Sequence, residues 1–265
     1  MNRLEQLPIP LLEWYRDNAR DLPWRRNPAP YRVWVSEIML QQTRVAAVLD
    51  YYRRFLEAAP TVQTLAALPE DQLMKLWQGL GYYSRARNLQ KAARQIMEDF
   101  GGVFPHTYED IRSLAGVGDY TAGAISSIAF GLPTPAVDGN VLRVTARIRG
   151  DERDIAAPAT KKEVTEALSQ IIPLDAPGDF NQAMMELGAT ICLPNGAPCA
   201  TNAPPRDFAP PIWRGAPASC PSRPQKRPGG WRRARCTSSS TATGWPCAAD
   251  PPRACWPDCG STPTS

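Results

Sequence analysis

The strongest local signal in this 265-residue chain is the stretch LAGVGDYTA, residues 114–122. Its two glycines, Gly116 and Gly118, lie between two segments with helical patterns and allow the backbone to turn tightly there. Such a turn brings bare N–H groups to the surface at the start of the second helix, where they can bind a phosphate oxygen without a lysine. From this segment alone, an ordinary αα-hairpin with glycine caps is an equally good interpretation.

Helical patterns extend over most of the chain on both sides of this turn. Apolar side chains recur at steps of three and four between residues 31 and 59, which predicts one long helix. Further helices are predicted over 70–77, 84–100, 107–114, 120–130, 160–172 and 179–192. Their predicted capping residues include Ser84, Asp119 and Thr160. No segment alternates with a period of two for long enough to predict a sheet, so the predicted fold class is all-α.

The net charge of +4 comes from the end of the chain. Residues 200–265 carry nine basic and three acidic side chains, whereas residues 1–199 carry 21 basic and 23 acidic ones. The segment 200–265 also holds 13 of the 28 prolines and no Leu, Val or Met. Because such a composition cannot fill a core, this segment is predicted to be a disordered tail, and residues 1–199 are predicted to be the folded part.

The composition also argues against several classes of protein. No apolar run reaches about 18 residues, so the sequence predicts no membrane span. The first 20 residues lack the apolar centre of a signal peptide, which predicts a cytoplasmic protein. A single histidine, His106, argues against a histidine-rich metal site and against a Ser-His-Asp triad.

Two acidic residues are candidates for carboxyl chemistry. Glu37 lies near the start of a mostly apolar helix, where a carboxyl group has a raised pKa and can donate a proton. Asp138 lies just ahead of another helix, where a carboxylate stays ionised and can stabilise a positive transition state. Cleavage of a glycosidic bond needs two carboxyls in such unlike environments. Taken singly, Asp138 is more often only an N-cap and Glu37 only a buried acid with a partner, and the sequence does not place them together.

Six blocks in a fixed order carry a resemblance to a known family. They are Trp24–Arg26, Trp34–Thr43, Gly79–Leu89, Leu114–Ala122, Val137–Val141 and Asn181–Ala189. Together they closely resemble the MutY-type adenine DNA glycosylases of the endonuclease III, or helix-hairpin-helix, superfamily. The resemblance implies a two-lobed fold, with a six-helix barrel domain over 21–131 that contains the hairpin. A second lobe would combine residues 1–20 and 132–199.

The resemblance also implies roles for individual residues. Glu37 would protonate the leaving adenine at N7, and Asn140 would orient the catalytic groups. Asp138 would stabilise the sugar cation, either as an ion or as a transient covalent adduct. The adenine would be flipped from the duplex, because its N-glycosidic bond is unreachable in the stack. The residues expected to contact DNA are Trp24, Arg25 and Leu40 around the adenine, Gln42 and Tyr82 as wedges, and Gly116 and Gly118 at the backbone. Without the resemblance, Gln42 and Tyr82 would be interpreted as ordinary surface residues.

Position 120 separates two branches of this superfamily. Enzymes that also nick the backbone carry a lysine there, which attacks the sugar to form a Schiff base. Tyr120 in this chain therefore implies hydrolysis of the glycosidic bond without strong lyase activity. The implied partner is duplex DNA with adenine opposite 8-oxoguanine or guanine, bound by a monomer at the nucleoid. Ala115 stands where the family hairpin usually has proline, which should cost rigidity rather than chemistry.

The cysteines depart from the family's pattern. Members hold a 4Fe-4S cluster through four cysteines, and Cys192 and Cys199 match the first two positions. Asn202 and Phe208 occupy the other two, and two thiolates cannot hold a cubane that needs four. We therefore expect that no cluster assembles in this chain. We also expect the family's C-terminal domain, which senses 8-oxoguanine, to be missing.

The codons of the tail suggest an explanation for this departure. Joining the last base of each codon to the first two of the next allows a cysteine at the Asn202–Ala203 and Phe208–Ala209 junctions, which restores the cluster motif. We interpret residues 200–265 as an out-of-frame translation that starts near Ala200. A basic tail that binds DNA phosphates is the alternative. Resequencing tests this interpretation, because other codons at both junctions would contradict it.

Three hypotheses of function follow from the sequence. The first is an adenine DNA glycosylase of base excision repair. The second is a sister glycosylase for oxidised pyrimidines or mismatched thymine, against which Tyr120 and the set Trp24, Glu37 and Asn140 argue. The third is a catalytically dead relic that still binds DNA but has lost cluster ligands and a domain.

Overall fold

A computed structural model describes residues 4–194 of the chain. These residues form twelve α-helices and no strand. The helices are α1 (Pro8–Asn18), α2 (Pro23–Arg26), α3 (Pro30–Leu40), α4 (Val45–Ala58), α5 (Val62–Ala67), α6 (Glu70–Trp77), α7 (Ser84–Asp99), α8 (Tyr108–Ser113), α9 (Asp119–Phe130), α10 (Gly139–Arg149), α11 (Pro158–Ile171) and α12 (Pro177–Thr190). The all-α fold class predicted from the sequence is confirmed. The predictions for the tail and for Cys199 lie outside the described residues.

The apolar side chains form two separate buried clusters. The first cluster draws on helices α2 to α9, with Trp34, Phe55 and Trp77 fully buried at its centre. The second combines the N-terminal helix α1 with α10, α11 and α12 around Phe180. Helix α12 packs against both α1 and α9 and so connects the two clusters. This is the two-lobed arrangement that the resemblance implies, while the residue bounds of the lobes stay a prediction. None of the helices in residues 4–194 has the length and apolar character that a membrane crossing needs.

The single long helix predicted between residues 31 and 59 is wrong. The structure has two helices there, α3 and α4, separated by a turn at residues 41–44. Gln42 in this turn has a φ of 58°, in the left-handed region that an α-helix excludes. The apolar periodicity continues on both sides of the turn, so the pattern gives no signal of the break.

Three predicted caps are also wrong, by one to three residues. Ser84 and Asp119 are the first residues of α7 and α9 rather than their N-caps. Helix α11 starts ahead of Thr160, at Pro158, because the fixed φ of proline suits the first helical position. The end of α9 is predicted correctly, since Gly131 adopts the left-handed conformation, with a φ of 67°.

Candidate active site

A cavity of about 540 Å³ is lined by residues from both lobes. This volume falls within the range of roughly 300–1,000 Å³ that is common for small-molecule sites. The predicted site residues on its wall are Trp24, Arg25, Glu37, Leu40, Tyr120, Asp138 and Asn140. Packing of α2, α3, α9 and α10 brings these residues together from distant parts of the sequence.

Glu37 is the buried acid of the cavity. Glu37 is only 6% exposed and lies on α3, a helix whose apolar residues belong to the first cluster. Burial penalises the charged form and raises the pKa of Glu37 to about 7, and the nearby Asp138 carboxyl adds to this rise. The hydroxyl of Tyr120 and the charge of Arg25 act in the opposite direction. Glu37 can therefore hold a proton near neutral pH, as the apolar pattern of its helix predicts.

Tyr120 connects α9 to this acid. Its hydroxyl donates a hydrogen bond to Oε2 of Glu37 over 2.8 Å and lies 3.1 Å from Sδ of Met185. Burial, together with the neighbouring carboxyls, raises the pKa of Tyr120 well above its ordinary value. The phenol therefore keeps its proton and acts as a hydrogen-bond donor to the Glu37 carboxylate.

Asp138 caps helix α10 at the other side of the cavity. Its Oδ1 accepts the N–H of Val141 over 2.8 Å, and its Oδ2 accepts Nδ2 of Asn140 over 2.7 Å. Burial raises the pKa of Asp138, although both hydrogen bonds and the charge of Arg143 favour the ionised form. The helix N-terminus thus acts as the sequence analysis expects, but the net shift is upward because burial is the larger effect.

Arg143, a residue that no sequence pattern indicated, fixes the orientation of the Asn140 amide. Its Nη2 donates to Oδ1 of Asn140 over 2.9 Å and to the carbonyl of Gly188 over 2.8 Å. The Asn140 amide therefore presents its nitrogen to Asp138. A Cβ added to Gly188 would lie 2.5 Å from Cβ of Asn140, so only glycine lets α12 approach α10 this closely. The glycine could have been a signal, but its partner is 48 positions away.

A second missed residue, Glu186 of α12, holds the arginines of the cavity. Its carboxylate accepts Nε of Arg20 over 2.6 Å and Nη2 of Arg25 over 2.8 Å. Burial raises the pKa of Glu186, but the hydrogen bonds and charges of both arginines outweigh it and lower the pKa to about 2. The guanidinium of Arg25 also lies over the ring of Tyr15, 5.4 Å from its centroid. Arg25 is therefore fixed from two sides by residues of the second lobe.

Two apolar side chains, those of Trp24 and Leu40, also line the cavity. Trp24 is 6% exposed, and its ring meets the ring of Tyr52 edge-on at 5.2 Å. Leu40 is half-buried at the end of α3. The cavity therefore combines an aromatic and an aliphatic side chain with a few polar groups, which is typical of a site for a small organic group.

The remaining predicted contacts lie outside the cavity wall. Gln42 follows α3 and Tyr82 follows α6, and both side chains are exposed. Gly116 and Gly118 lie in the turn between α8 and α9, and Gly116 has a φ of 77°. Gly118 has a φ of −100°, which any residue adopts, so its backbone does not require glycine.

The hairpin turn is fastened to α7. Oε1 of Gln95 accepts the N–H of Ala115 over 3.2 Å, and its Nε2 donates to the carbonyl of Ser113 over 3.4 Å. Asn88 packs beneath Gly116, where an added Cβ would lie 2.8 Å from Cβ of Asn88. Since Ala115 has an N–H that proline lacks, Gln95 gives this turn a brace of its own.

Cys192 is the one predicted cluster ligand that lies within residues 4–194. Its thiol is buried, and Nη1 of Arg147 lies 2.8 Å from Sγ. Burial raises the pKa of this thiol, whereas the charges and hydrogen bonds of Arg147 and Arg143 act in the opposite direction and favour the thiolate. Within residues 4–194, no group of three or more His, Cys, Asp or Glu side chains is placed to hold a metal. Cys199 lies outside the described residues.

Comparison with known proteins identifies a family. Residues 35–174 match the family model described as HhH-GPD superfamily base excision DNA repair protein. The chain is 48% identical over 198 residues to the adenine DNA glycosylase of Rattus norvegicus, a match that covers 71% of this chain and 38% of that protein. The chain thus spans less than two fifths of the length of this relative.

Solved structures with the same fold include two DNA repair enzymes. A thermostable thymine-DNA glycosylase is 28% identical, with a TM-score of 0.64 over 73% of this chain and 89% of that one. A trapped covalent intermediate of endonuclease III with DNA is 26% identical, with a TM-score of 0.63 over 76% of this chain and 92% of that one. The likeness therefore extends over nearly the whole of both neighbours.

Proposed function

The chain belongs to the HhH-GPD superfamily of base excision DNA repair proteins, and on this premise we propose that it removes adenine mispaired with 8-oxoguanine or guanine. One observation carries the proposal: Glu37, with a pKa of about 7, and Asp138 line one cavity beside an aromatic wall. An acid that keeps its proton next to a second carboxyl is what departure of a purine from a sugar requires. The similarity to an adenine DNA glycosylase supports adenine as the purine.

The proposed reaction starts with the proton of Glu37. Its transfer to N7 of the extruded adenine makes the base a neutral leaving group, and the bond between N9 and C1′ breaks with its electron pair on the base. The carboxylate of Asp138 stabilises the positive charge left on the sugar, and Asn140 holds that carboxylate in place. Water then adds to C1′ and passes a proton to the Glu37 carboxylate, which restores the acid and leaves free adenine and an abasic site.

Tyr120 sets the type of product in this proposal. Formation of a Schiff base with the sugar needs an amine, and the position carries a phenol that keeps its proton. The strand is therefore left intact at the abasic site. Instead of attacking the sugar, the Tyr120 hydroxyl adjusts the pKa of Glu37.

Recognition of the base is assigned to the aromatic and cationic parts of the cavity. Trp24 and Leu40 offer apolar surface to a flat ring, while Arg25 offers donors to its acceptor nitrogens. Because Glu186 and Tyr15 hold Arg25, its side chain loses little freedom on binding. Outside the cavity, the hairpin glycines would contact phosphates through the backbone, and Gln42 and Tyr82 would fill the gap left by the base. As an enzyme of chromosomal DNA, it would act at the nucleoid in the cytoplasm.

We further propose that this activity does not need a 4Fe-4S cluster in this chain. The sequence has Asn202 and Phe208 at two of the four ligand positions, and neither side chain is a ligand for iron in such a cluster. A colourless preparation that contains no iron and releases adenine supports this proposal. A brown preparation that loses its activity when the iron is removed contradicts it.

The test of the function uses a duplex with adenine opposite 8-oxoguanine, followed by alkali. We expect strand cleavage only after alkali, and no cleavage with Glu37→Gln. Glu57→Gln serves as a matched control, because Glu57 is exposed on α4 and pairs only with Arg53 on its own helix. Strand cleavage without alkali would contradict the role given to Tyr120.

Two further outcomes of this test separate the alternatives. Duplex binding without any base release favours the DNA-binding relic. Release of thymine from a duplex with thymine opposite guanine, but not of adenine, favours the sister activity named for the thymine-DNA glycosylase neighbour.

A further inference from the structure

Arg85 is a buried cation that makes no ion pair in the described part of the chain. It lies in the first turn of α7 and is 9% exposed. No salt bridge of residues 4–194 includes it, whereas most buried charges are paired with an opposite charge. A buried guanidinium without an ion pair is tolerated only where several hydrogen-bond acceptors surround it. The acceptors around Arg85 therefore indicate its role.

The hydrogen-bond partners of Arg85 are backbone carbonyls of two separate segments and, over 3.4 Å, the hydroxyl of Thr43. Its Nη1 donates to the carbonyls of Ile38 and Met39, each over 3.1 Å, and to the carbonyl of Gln41. Its Nη2 donates to the carbonyls of Leu80 and Gly81 over 3.1 and 3.2 Å. The first segment is the end of α3, where carbonyls lack partners within the helix and the dipole favours a cation. The second is the loop after α6.

Each of these segments continues directly into a strained residue. Gln42 follows Gln41 with a φ of 58°, and Tyr82 follows Gly81 with a φ of 47°. Within residues 4–194 they are the only two residues other than glycine with a positive φ. Such conformations are unfavourable for side chains with a Cβ and persist where the surrounding structure imposes them. The guanidinium of Arg85 is the group that holds both segments.

Arg85 also touches the side chain of one of the two. Its guanidinium carbon lies 5.4 Å from the ring centroid of Tyr82 and 5.6 Å from that of Trp77. The ring of Trp77 is buried, whereas Tyr82 is 60% exposed. Arg85 therefore lies between the core and an exposed aromatic ring, which it holds by a cation–π contact.

We propose that Arg85 is a positioning residue that keeps Gln42 and Tyr82 in a shape ready to enter the duplex. The inference rests on the proposed function, in which these two side chains fill the gap left by the extruded adenine. A loop that is ordered in advance does not lose conformational freedom when DNA binds, so base extrusion becomes more favourable. Arg85 does so without touching the base or the sugar.

A double-mutant cycle tests this inference. Arg85→Met is made in the wild type and in a background that carries Gln42→Ala and Tyr82→Ala. The readout is the rate of adenine release under single-turnover conditions. We expect a loss of at least about tenfold in the wild type but less than about threefold in the background without the two side chains, because residues that act together are non-additive. Equal losses in both backgrounds would overturn the proposal, since they indicate a purely structural role.

A spectroscopic readout reports extrusion itself. In the Glu37→Gln background, which prevents turnover, 2-aminopurine placed beside the target adenine brightens as the stack opens. We expect Arg85→Met to reduce this signal at saturating protein and Arg85→Lys, which keeps three donors, to restore part of it. An undiminished signal with Arg85→Met would overturn the proposal. Arg94→Met is the matched control, because Arg94 also lies on α7 and donates to a carbonyl, that of Ala66.

The outcomes separate this inference from the proposed function. If the wild type releases adenine and Arg85→Met causes the same loss of rate in both backgrounds, the role of Arg85 is contradicted and the proposed function is not. Absence of adenine release contradicts the proposed function, and the 2-aminopurine signal then still decides whether Arg85 supports extrusion. If Arg85→Met does not fold, as judged by circular dichroism, Arg85→Lys replaces it in the cycle, with a smaller but still non-additive loss expected.

Discussion

Replacement of Tyr120 by phenylalanine should move the pH dependence of adenine release upward. The Tyr120 hydroxyl donates a 2.8 Å hydrogen bond to Glu37 and thereby stabilises its carboxylate form. Without this bond the carboxylate is less stable, so the pKa of Glu37 rises above its present value of about 7. Since the protonated acid is the active form in our mechanism, Tyr120→Phe should stay active at a higher pH than the wild type.

The size of this shift follows from the strength of the bond. Hydrogen bonds to charged groups contribute roughly 1.5–3 kcal/mol, and 1.36 kcal/mol corresponds to one pH unit. The midpoint of the alkaline decline should therefore rise by about one to two pH units. In the wild type this midpoint is expected near pH 7, from the pKa of Glu37.

The assay is a pH series of single-turnover rates at subsaturating protein, which reports the groups of the free enzyme. Rates are measured between about pH 5 and pH 9 from strands cleaved by alkali after the reaction. Tyr31→Phe is the matched control, because it removes another buried hydroxyl, which donates to the carbonyl of Ala59 over 2.6 Å. A midpoint that stays in place or moves downward in Tyr120→Phe would refute the reasoning. The same rise in Tyr31→Phe would do so as well.

Three further predictions concern stability and DNA binding. In urea unfolding, Glu37→Gln should be more stable than the wild type by about 3 kcal/mol at pH 8 and equally stable at pH 4. The wild type loses stability as the pH rises above 4.5, because the pKa of Glu37 is about 7 in the folded protein and 4.5 in the unfolded chain. Gly116→Ala should weaken duplex binding in a titration by about tenfold, since its Cβ meets Asn88 and its φ of 77° disfavours a side chain. Gly118→Ala has open space around its Cβ and an ordinary φ, so it should unfold in urea at the same midpoint as the wild type. Glu186→Gln should be less stable than the wild type at pH 7 by about 2 kcal/mol, less than the full pKa shift implies because water screens the partly exposed Arg20. Because the folded pKa of Glu186 is lowered from 4.5 to about 2, this difference should vanish as the pH falls through that range. A constant difference across that range of pH would contradict the ionised state of Glu186.

The fold class could be predicted from the amino-acid sequence, because the signals for helices are local. Apolar side chains at steps of three and four indicate helices wherever they occur, and a glycine such as Gly131 ends one through its own backbone conformation. The same local reasoning predicts a raised pKa for Glu37, since its helix is apolar on most sides. The turn at residues 41–44 escaped detection because the periodicity is equal before and after it.

The assembly of the site could not be predicted from the sequence and became visible with the tertiary structure. Tyr120 and Glu37 are 83 positions apart, and Glu186 and Arg25 are 161 apart, so no pattern of spacing connects them. The upward pKa shift of Asp138 and the downward shift of Glu186 depend on burial and on neighbours from other helices. Most hydrogen-bond partners of Arg85 are backbone carbonyls, and a carbonyl is present at every position whatever the residue. The sequence gives the type of side chain at each position. Packing then fixes how far that side chain is exposed to solvent, which protonation state it prefers and which groups it contacts.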